Sequence, residues 1–465
     1  MKVGVISLGC PKNLTDTEAI LGLLVDSGYK ITNNQNEADI MIVNTCAFIG
    51  DARNEAFEII GEMAKLKSQG KLKFLVVAGC LPKRDKNQLF DQFEEIDAIV
   101  GPGSIDKIIH VLNELQRVEP ATESRHKVGT GCRGSKSPAS GTAKFIRRFP
   151  IRKISLLDGT HCLFTHKTPK LKATPKYWAY IKIADGCNNR CSYCIVPSLR
   201  GKYQSRPMDS IVAEVKELVK NGLKEAILVA QDTTMYGTDL YGKPSLHILC
   251  KKLARIRGLE WIRIMYAHPA HVTDELIKTI KNEPKICRYL DLPIQHYCDN
   301  ILRSMRRKVT SAKLRLLIQK LRREIPGVAI RTSVIVGYPN ETEPDFNRLL
   351  GFIKGSKFER LGVFKYSREI GTPAAKMRGQ IGERVKNKRF HKLMGLQREI
   401  SRKSLKNMVG KVIRVLADGR LGRSMMDAPE IDGVVKLNRI VPSGKIVKVK
   451  VTGSSDYDLS GTIFT

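Results

Sequence analysis

The chain is 465 residues long, which is enough for about three domains at a typical size of about 150 residues. Its 42% hydrophobic and 27% charged content is that of a globular protein and excludes a disordered one. The 80 Lys and Arg residues against 46 Asp and Glu residues give a formal net charge of +34, which indicates either a polyanionic partner such as RNA or a set of solvated basic faces.

Two features of the chain bear on its location. No apolar run reaches the ~18 residues that a membrane-spanning helix needs, and the N-terminal stretch lacks a signal-peptide cleavage site. We therefore expect a cytoplasmic protein with no membrane partner. The 11 cysteines should then be reduced, so that clustered cysteines indicate metal or redox chemistry rather than disulfides.

Residues 1–116 alternate apolar runs with helical patterns, which predicts an open α/β domain with a parallel sheet. The strands are expected near residues 2–8, 40–44, 73–78 and 97–100. The segments KVGVISLGC, ADIMIVNTC and KFLVVAGC each end on one cysteine, namely Cys10, Cys46 and Cys80. Because the C-terminal ends of parallel strands meet at one edge, the three thiols are predicted to ligate one iron–sulfur cluster rather than to be apolar packing.

Residues 117–172 lose this periodicity, and we interpret them as a linker of uncertain order. The glycines Gly129, Gly131 and Gly134 have the GxGxxG spacing of dinucleotide-binding loops. The SKSPASG that follows cannot begin an apolar helix, so this interpretation is rejected.

From about residue 173 to 385, strand-like and helix-like segments alternate again. The six strand candidates are YWAYIKIADGC, EAILVAQD, WIRIMYAH, YLDLPIQH, AIRTSVIVGYP and RLGVFKYS. Six such units predict a barrel or partial barrel whose site lies at the C-terminal ends of the strands.

The first of these strands ends in DGCNNRCSYC, which places Cys187, Cys191 and Cys194 in C-x3-C-x2-C spacing. Clustered thiolates suit iron–sulfur centres or zinc. Three ligands leave one iron of a four-iron cluster open to a substrate or cofactor, whereas an incomplete zinc site or chance spacing is the alternative. The remaining cysteines receive no role; they are Cys132, Cys162, Cys250, Cys287 and Cys298.

A basic helical stretch follows at 383–407, and the last 58 residues carry short alternating strands separated by Gly and Pro turns. This pattern predicts a small β-barrel, a shape common among nucleic-acid-binding modules. The basic stretches 303–323 and 383–407 are candidates for phosphate contact, although such runs are more often solvated helix exteriors.

The cysteine triplet, with Tyr193 just before its last member, resembles that of the radical S-adenosylmethionine enzymes. The resemblance implies that the open iron chelates the amino and carboxylate groups of S-adenosylmethionine. It also implies that an electron, provided by an external electron donor, cleaves the sulfonium to a 5′-deoxyadenosyl radical. Tyr193 is a candidate adenine contact, with packing against the loop as the alternative.

Two clusters and a C-terminal TRAM-like barrel resemble the methylthiotransferases over the whole chain except 117–172. One branch of that family modifies an adenosine of transfer RNA, and the other methylthiolates the β-carbon of an aspartate in small-subunit ribosomal protein S twelve. SLGCPKN, LVAQDTTMYGTDLYG, LDLPIQH, YSREIGTPAA and DAPEIDG are similar to the ribosomal-protein branch. We favour that branch over the transfer-RNA branch and over a non-enzymatic iron–sulfur RNA-binding protein.

This resemblance implies a transferase with two 4Fe–4S clusters, S-adenosylmethionine, and ribosomal protein S twelve or the small ribosomal subunit as partner. One S-adenosylmethionine methylates sulfur at the N-terminal cluster, and a second yields the radical that takes a hydrogen from the aspartate. The implied domains are a methylthiotransferase domain, a linker, a radical domain and a TRAM-like barrel at 1–116, 117–172, 173–402 and 403–465.

Polar residues at the ends of the second and fourth predicted central strands, and in the fifth strand and its exit, are candidates for the S-adenosylmethionine pocket, because polar groups at barrel strand ends converge on a ligand. They are Gln231, Asp232, Gln295, His296, Arg331, Ser333 and Gly337. Each has a structural role as its alternative, and for His296 a satisfied buried histidine is favoured over a proton carrier. Asn340 stands where the family usually has glycine, which implies a left-handed backbone there.

Overall fold

Two parallel sheets and a closed barrel organise the chain in a computed structural model that describes residues 1–117, 153–157 and 163–464. None of the helices in these ranges is both long and apolar enough to cross a bilayer.

The N-terminal sheet has six parallel strands in the order β2-β1-β3-β4-β5-β6. They are β1 (Lys2–Ser7), β2 (Lys30–Ile31), β3 (Ile40–Thr45), β4 (Phe74–Gly79), β5 (Ala98–Val100) and β6 (Ile154–Leu156). The helices packed on it are α1 (Pro11–Asp26), α2 (Gly50–Ser68), α3 (Cys80–Gln92) and α4 (Ile108–Arg117). The central strands β3 and β4 are buried along their whole length, because helices cover both faces of the sheet. The predicted open α/β domain is confirmed.

Strand β6 comes from the segment that the sequence marked as a linker, and it pairs in parallel with β5. Most of that segment, 118–152 and 158–162, lies outside the described residues. The GxGxxG glycines, Cys132 and Cys162 lie there too.

The central sheet has six parallel strands in the order β14-β13-β12-β11-β10-β7, and it does not close on itself. They are β7 (Trp178–Lys182), β10 (Glu225–Val229), β11 (Trp261–Ile264), β12 (Ile286–Asp291), β13 (Ala329–Val336) and β14 (Arg360–Lys365). The small hairpin near its start is β8 (Ala184–Asp185) with β9 (Gln204–Ser205). The predicted partial barrel and its six strands are confirmed.

Helices cover one face of this sheet. They are α6 (Met208–Lys220), α7 (Leu246–Ala254), α8 (Asp274–Asn282), α9 (Asp299–Ser304), α10 (Ser311–Glu324), α11 (Glu343–Ser356) and α12 (Glu383–Lys406). The short helix α5 (Val196–Arg200) instead packs against the N-terminal core through Leu199. Ahead of α11, Asn340 has φ +64°, so the left-handed turn expected there is present.

The C-terminal strands form a closed barrel in the order β15-β16-β18-β17, as predicted. They are β15 (Val412–Ser424), β16 (Val435–Val441), β17 (Ile446–Ser454) and β18 (Leu459–Ile463). The loop between β15 and β16 packs Met425 and Ala428 against Trp178 and Tyr289, on the sheet face that the helices leave uncovered. Tyr289 Oη donates to Asp432 Oδ2 of this loop at 2.7 Å, so the barrel covers the inner face of the central domain.

Candidate active site: two cysteine triplets at one domain interface

The three N-terminal cysteines lie at the ends of three neighbouring strands. Cys10 directly precedes α1 at the end of β1, Cys46 follows β3, and Cys80 begins α3 after β4. Burial, and then the neighbouring Cys10 and Cys80 thiols, raise the pKa of Cys46 to about 12. The predicted convergence of the three thiols is therefore present.

Glycines make room for this first triplet. Gly9 has φ +88°, and a Cβ at that position would lie 2.9 Å from Cys46 Sγ. Gly79 has φ +92°, and a Cβ there would lie 2.5 Å from Asn44 Oδ1. Both positions require a left-handed backbone and a close approach, which only glycine tolerates without strain.

An asparagine clamp fixes the strand ends that carry the first triplet. Asn13 Nδ2 donates to Leu8 O at 2.7 Å and to Asn44 O at 3.0 Å, and Asn44 Nδ2 donates to Asn13 O at 3.1 Å. Both residues are almost completely buried, so these hydrogen bonds order the backbone next to Cys10 and Cys46.

The second triplet lies on one loop of the central domain. Cys187 N donates to Gly201 O at 3.1 Å, and Cys194 N donates to Cys191 O at 3.1 Å. Burial, and then the Cys191 and Cys187 thiols, raise the pKa of Cys194 to about 12. Arg307 Nη1 lies 3.8 Å from Cys191 Sγ, so a buried cation is next to this triplet.

The chemistry of both thiol sets fits a four-iron cluster with one iron free of protein ligands. Each set has three cysteines, and the other described cysteines, Cys250, Cys287 and Cys298, lie in separate apolar clusters. Burial opposes ionisation of Cys10, but Lys12 and Arg200 outweigh it and lower the pKa of that thiol. Cations next to the thiols favour the thiolate form that binds iron.

Arg200 joins the two domains at this point. It lies at the end of α5, just after the second triplet, and its Nη2 is 3.0 Å from Asp16 Oδ2 of α1. Its Nη1 is 2.9 Å from Asp185 Oδ2, and Lys182 pairs with both carboxylates. Burial opposes ionisation of Asp185, yet Arg200 and Lys182 hold its pKa well below the usual range. All four side chains are buried, and Ile195 packs into the N-terminal core beside them.

Two of the predicted pocket residues, Gln231 and Asp232, contact residues that flank the second triplet. Gln231 Nε2 donates to Asp185 Oδ1 at 2.8 Å, and its buried Oε1 has no partner among the described residues. Asp232 Oδ2 accepts from Asn189 Nδ2 of the cysteine loop at 2.8 Å and lies 2.8 Å from His271 Nδ1. Gln231 and Asp232 are therefore brought together at the cysteine loop.

The other predicted pocket residues divide into two groups. Gln295 N donates to Ser333 O at 2.9 Å, and Arg331 Nη1 is 2.9 Å from Asp291 Oδ1 and 3.5 Å from Ser333 Oγ. Gln295 follows the end of β12 and pairs with Val334, whereas Arg331 and Ser333 lie within the adjacent strand β13.

His296 and Gly337 instead converge on Glu341. His296 is fully buried, its Nε2 is 3.4 Å from Glu341 Oε1, and its Nδ1 accepts from Cys298 N at 3.1 Å. Gly337 N also donates to Glu341. These contacts are those of the satisfied buried histidine favoured above.

Tyr193 packs in an apolar cluster with Tyr338 and Tyr366, which is the packing alternative considered for it. The assignment of all eight pocket candidates to S-adenosylmethionine stays a prediction.

Sequence reasoning missed the cations next to the thiols and their partners. Lys12 stands in the SLGCPKN motif and Arg200 six residues past the cysteine loop, but neither carries a periodic signal. Arg307 lies more than 100 residues from the thiol it approaches. The only signal for Lys12 was its place beside Cys10.

Three family models match separate parts of the chain. Residues 2–101 match the uncharacterized protein family UPF0004, residues 181–353 match the radical SAM superfamily, and residues 409–464 match the TRAM domain.

Curated relatives match over nearly the whole chain. The ribosomal protein uS12 methylthiotransferase RimO of Desulforamulus reducens is 45% identical over 99% of this chain and 99% of its own length. Its namesake in Citrifermentans bemidjiense is 44% identical, with coverage of 99% and 98%, and that of Geobacter sulfurreducens is 44% identical, with coverage of 100% and 99%.

Among solved structures, the radical S-adenosylmethionine methyltransferase TsrM of Kitasatospora setae, with tryptophan and a SAM analogue bound, matches with a TM-score of 0.55 at 14% identity. The match covers 86% of this chain and 89% of that one. The cobalamin-dependent radical enzyme OxsB matches with a TM-score of 0.52 at 12% identity, covering 86% of this chain and 56% of that one. At these identities the likeness establishes a shared fold.

Proposed function

The chain belongs to the family of ribosomal protein uS12 methylthiotransferases named RimO, and from this premise we propose that it methylthiolates the β-carbon of an aspartate of uS12, using two 4Fe–4S clusters and S-adenosylmethionine. The observation that carries the proposal is the meeting of two cysteine triplets at one buried interface. An enzyme that both activates a C–H bond and delivers sulfur to the same carbon needs its two centres on one cleft.

We assign one cluster to Cys10, Cys46 and Cys80 and the other to the loop with Cys187, Cys191 and Cys194. When bound, these groups supply the electron that cleaves S-adenosylmethionine and the sulfur that is transferred. The protein supplies the rest of the site. Arg200 with Asp16 holds the two domains together, and the loop before β16 covers the central sheet, which keeps water from its inner face.

For the S-adenosylmethionine pocket we propose Gln231 and Asp232 as the residues nearest the cysteine loop. The unpaired Gln231 Oε1 is an acceptor suited to an N–H of the cofactor's amino group, since a buried amide oxygen without a partner is otherwise costly. Asp232 orients the loop through Asn189. Gln295, Arg331 and Ser333, at the paired strands β12 and β13, would line the side of the pocket away from the cysteine loop. His296 and Gly337 would support this side of the pocket through their contacts with Glu341.

Domain boundaries and partners complete the proposal. We place the methylthiotransferase domain, linker, radical domain and TRAM barrel at 1–116, 117–172, 173–402 and 403–465. The three matched families, at 2–101, 181–353 and 409–464, each fall inside one of these ranges. The net charge of +34 is unexpected for an enzyme acting on a basic protein. Contact of the TRAM barrel and the basic faces with ribosomal RNA around uS12 resolves this conflict. The location would be the cytoplasm, where an electron donor is available.

The test is mass spectrometry of uS12 and of digested transfer RNA from a deletion strain. We expect the methylthio mass on the uS12 aspartate to vanish, to return with the wild-type gene, and to stay absent with the Cys46→Ala gene. Loss of a methylthio group from adenosine with uS12 unaffected would overturn the proposal and favour the transfer-RNA branch.

A further inference from the structure

Lys12 places a cation at the interface between the first cysteine triplet and the central domain. It lies two residues past Cys10 in the first turn of α1, and its side chain is only half-buried. Its Nζ lies 3.5 Å from the centroid of the Tyr266 ring, which belongs to the central domain just past the end of β11. The ammonium group therefore spans the interface from the first triplet to the radical domain.

This ammonium has no carboxylate within ion-pair distance among residues 1–117, 153–157 and 163–464. The acidic groups around it are already paired, Asp16 and Asp185 with Arg200 and Lys182, and Asp291 with Arg331. An aromatic face attracts the charge but satisfies few of the three N–H donors. A partly desolvated ammonium without an anionic partner is suited to bind an anion that arrives with the substrate.

The aromatic partner is held in a fixed position. Tyr266 has φ +56°, an uncommon backbone conformation for a bulky residue, and its backbone N–H donates to Asp291 Oδ2 at 2.9 Å. Such conformations persist where the surrounding structure imposes them, and they concentrate at ligand-binding sites. Tyr266 thus fixes one side of the Lys12 ammonium, whose N–H groups have no hydrogen-bond or ion-pair partner among the described residues.

We propose that Lys12 is a specificity-determining residue that binds the side-chain carboxylate of the substrate aspartate. The inference rests on the proposed function, because it takes a carboxylate-bearing side chain as the substrate. A charge-assisted bond from Nζ would hold the adjacent β-carbon next to Cys10 and its cluster, on the side from which sulfur is delivered. An asparagine side chain has the same shape but lacks the charge, so Lys12 would discriminate against it.

The test measures binding, not turnover, with the full-length reconstituted protein. Purified uS12 and a uS12 variant with the target aspartate changed to asparagine are titrated against the wild type, Lys12→Met, Lys12→Arg and Lys30→Met. Lys30 is an exposed lysine at the start of β2, at the end of the strands away from the cysteines, so its variant controls for net charge. The wild type should bind the asparagine variant about tenfold to a hundredfold more weakly, the range for a hydrogen bond between charged groups.

Lys12→Met should bind both forms of uS12 equally and weakly, whereas Lys12→Arg and Lys30→Met should keep the preference for aspartate. A merely structural lysine would weaken both forms alike and leave their ratio unchanged. Equal binding of both forms by the wild type, or an unchanged ratio in Lys12→Met, would overturn the inference. If Lys12→Met does not fold, Lys12→Gln takes its place with the same expected loss of preference, and equal wild-type binding of both forms overturns the inference without any variant. Aspartate preference in an enzyme that leaves uS12 unmodified would refute the proposed function alone.

Discussion

The two cysteine triplets reach the same interface by different routes. The N-terminal thiols come from three strand ends spread over residues 10–80, whereas the radical-domain thiols lie within residues 187–194 of one loop. The first set is therefore a product of tertiary structure and the second of local chain geometry.

The cations around the two triplets also differ in which domain supplies them. The second triplet has Arg307 from its own domain, whereas the first has Lys12 from its own domain and also Arg200, a cation that the other domain contributes. Assembly of the N-terminal site should thus be sensitive to domain docking, and assembly of the radical site should not.

The largest effects should come from removing one thiol from each set. Cys191→Ala should abolish formation of 5′-deoxyadenosine, because the cluster that binds S-adenosylmethionine loses a ligand. Cys46→Ala should retain 5′-deoxyadenosine but yield no methylthiolated uS12. Both products are measured by mass spectrometry after anaerobic reconstitution. If Cys46→Ala stops 5′-deoxyadenosine as well, the two sites are not separable in the way described.

Arg200→Met should separate the behaviour of the two cysteine sites most clearly. It leaves the buried Asp16 and Asp185 with Lys182 as their shared cation, and breaking a buried ion pair costs about 3–5 kcal/mol. We expect a lower melting temperature and loss of iron from the N-terminal site, with 5′-deoxyadenosine retained. Arg117→Met removes an exposed pair with Glu114 and should cost about 0–1 kcal/mol. Equal melting temperatures for the two variants would show that Arg200 does not hold the interface.

Two glycine substitutions should act on one site each. Gly9→Ala brings a Cβ against Cys46, and Gly186→Ala brings one against the carbonyl of Lys202 at the base of the radical loop. Each adds left-handed strain of about 1–3 kcal/mol and should reduce iron at its own site only, as read from the spectra of the separate clusters. Gly28→Ala is the matched control, because φ is +83° there but the space is open. Iron loss in Gly28→Ala would show that backbone strain alone causes the loss of iron, rather than a Cβ that displaces residues of the cysteine sites.

Arg307→Met should have the smallest effect on the iron content of the two sites. Its guanidinium lies 3.8 Å from Cys191 Sγ, and Nη2 also donates to Pro293 O at 2.6 Å. We expect a cost of about 1–3 kcal/mol in stability, full iron content, and a more negative reduction potential of the radical-domain cluster. The sign follows because a nearby cation stabilises the more negative, reduced form. Potentiometric titration measures it, and a shift to more positive values would contradict the role given to Arg307.

The strand ends were predictable because parallel strands finish at one edge of a sheet. That rule alone brings Cys10, Cys46 and Cys80 together, and the six apolar runs of the central domain were long enough to be recognised. The strand Ile154–Leu156 was missed, since three residues within a basic, Gly- and Ser-rich stretch show no periodicity.

The interface residues were not predictable. The partners Asp16 and Lys182 are separated by 166 positions in the sequence, and only the docking of the two domains brings them into contact. Likewise, the strand position of Arg331 suggested a pocket, but its pairing with Asp432 of the C-terminal barrel depends on a loop from another domain. Local patterns specify elements, whereas contacts across domains depend on shapes that no single segment encodes.

The most direct test is the iron and acid-labile sulfide content of the anaerobically reconstituted wild-type protein. Two four-iron clusters predict about eight irons per chain, and replacing either triplet with alanine should leave about four. About four irons in the wild type, or zinc in place of iron, would contradict the account of two thiol triplets that each hold a cluster.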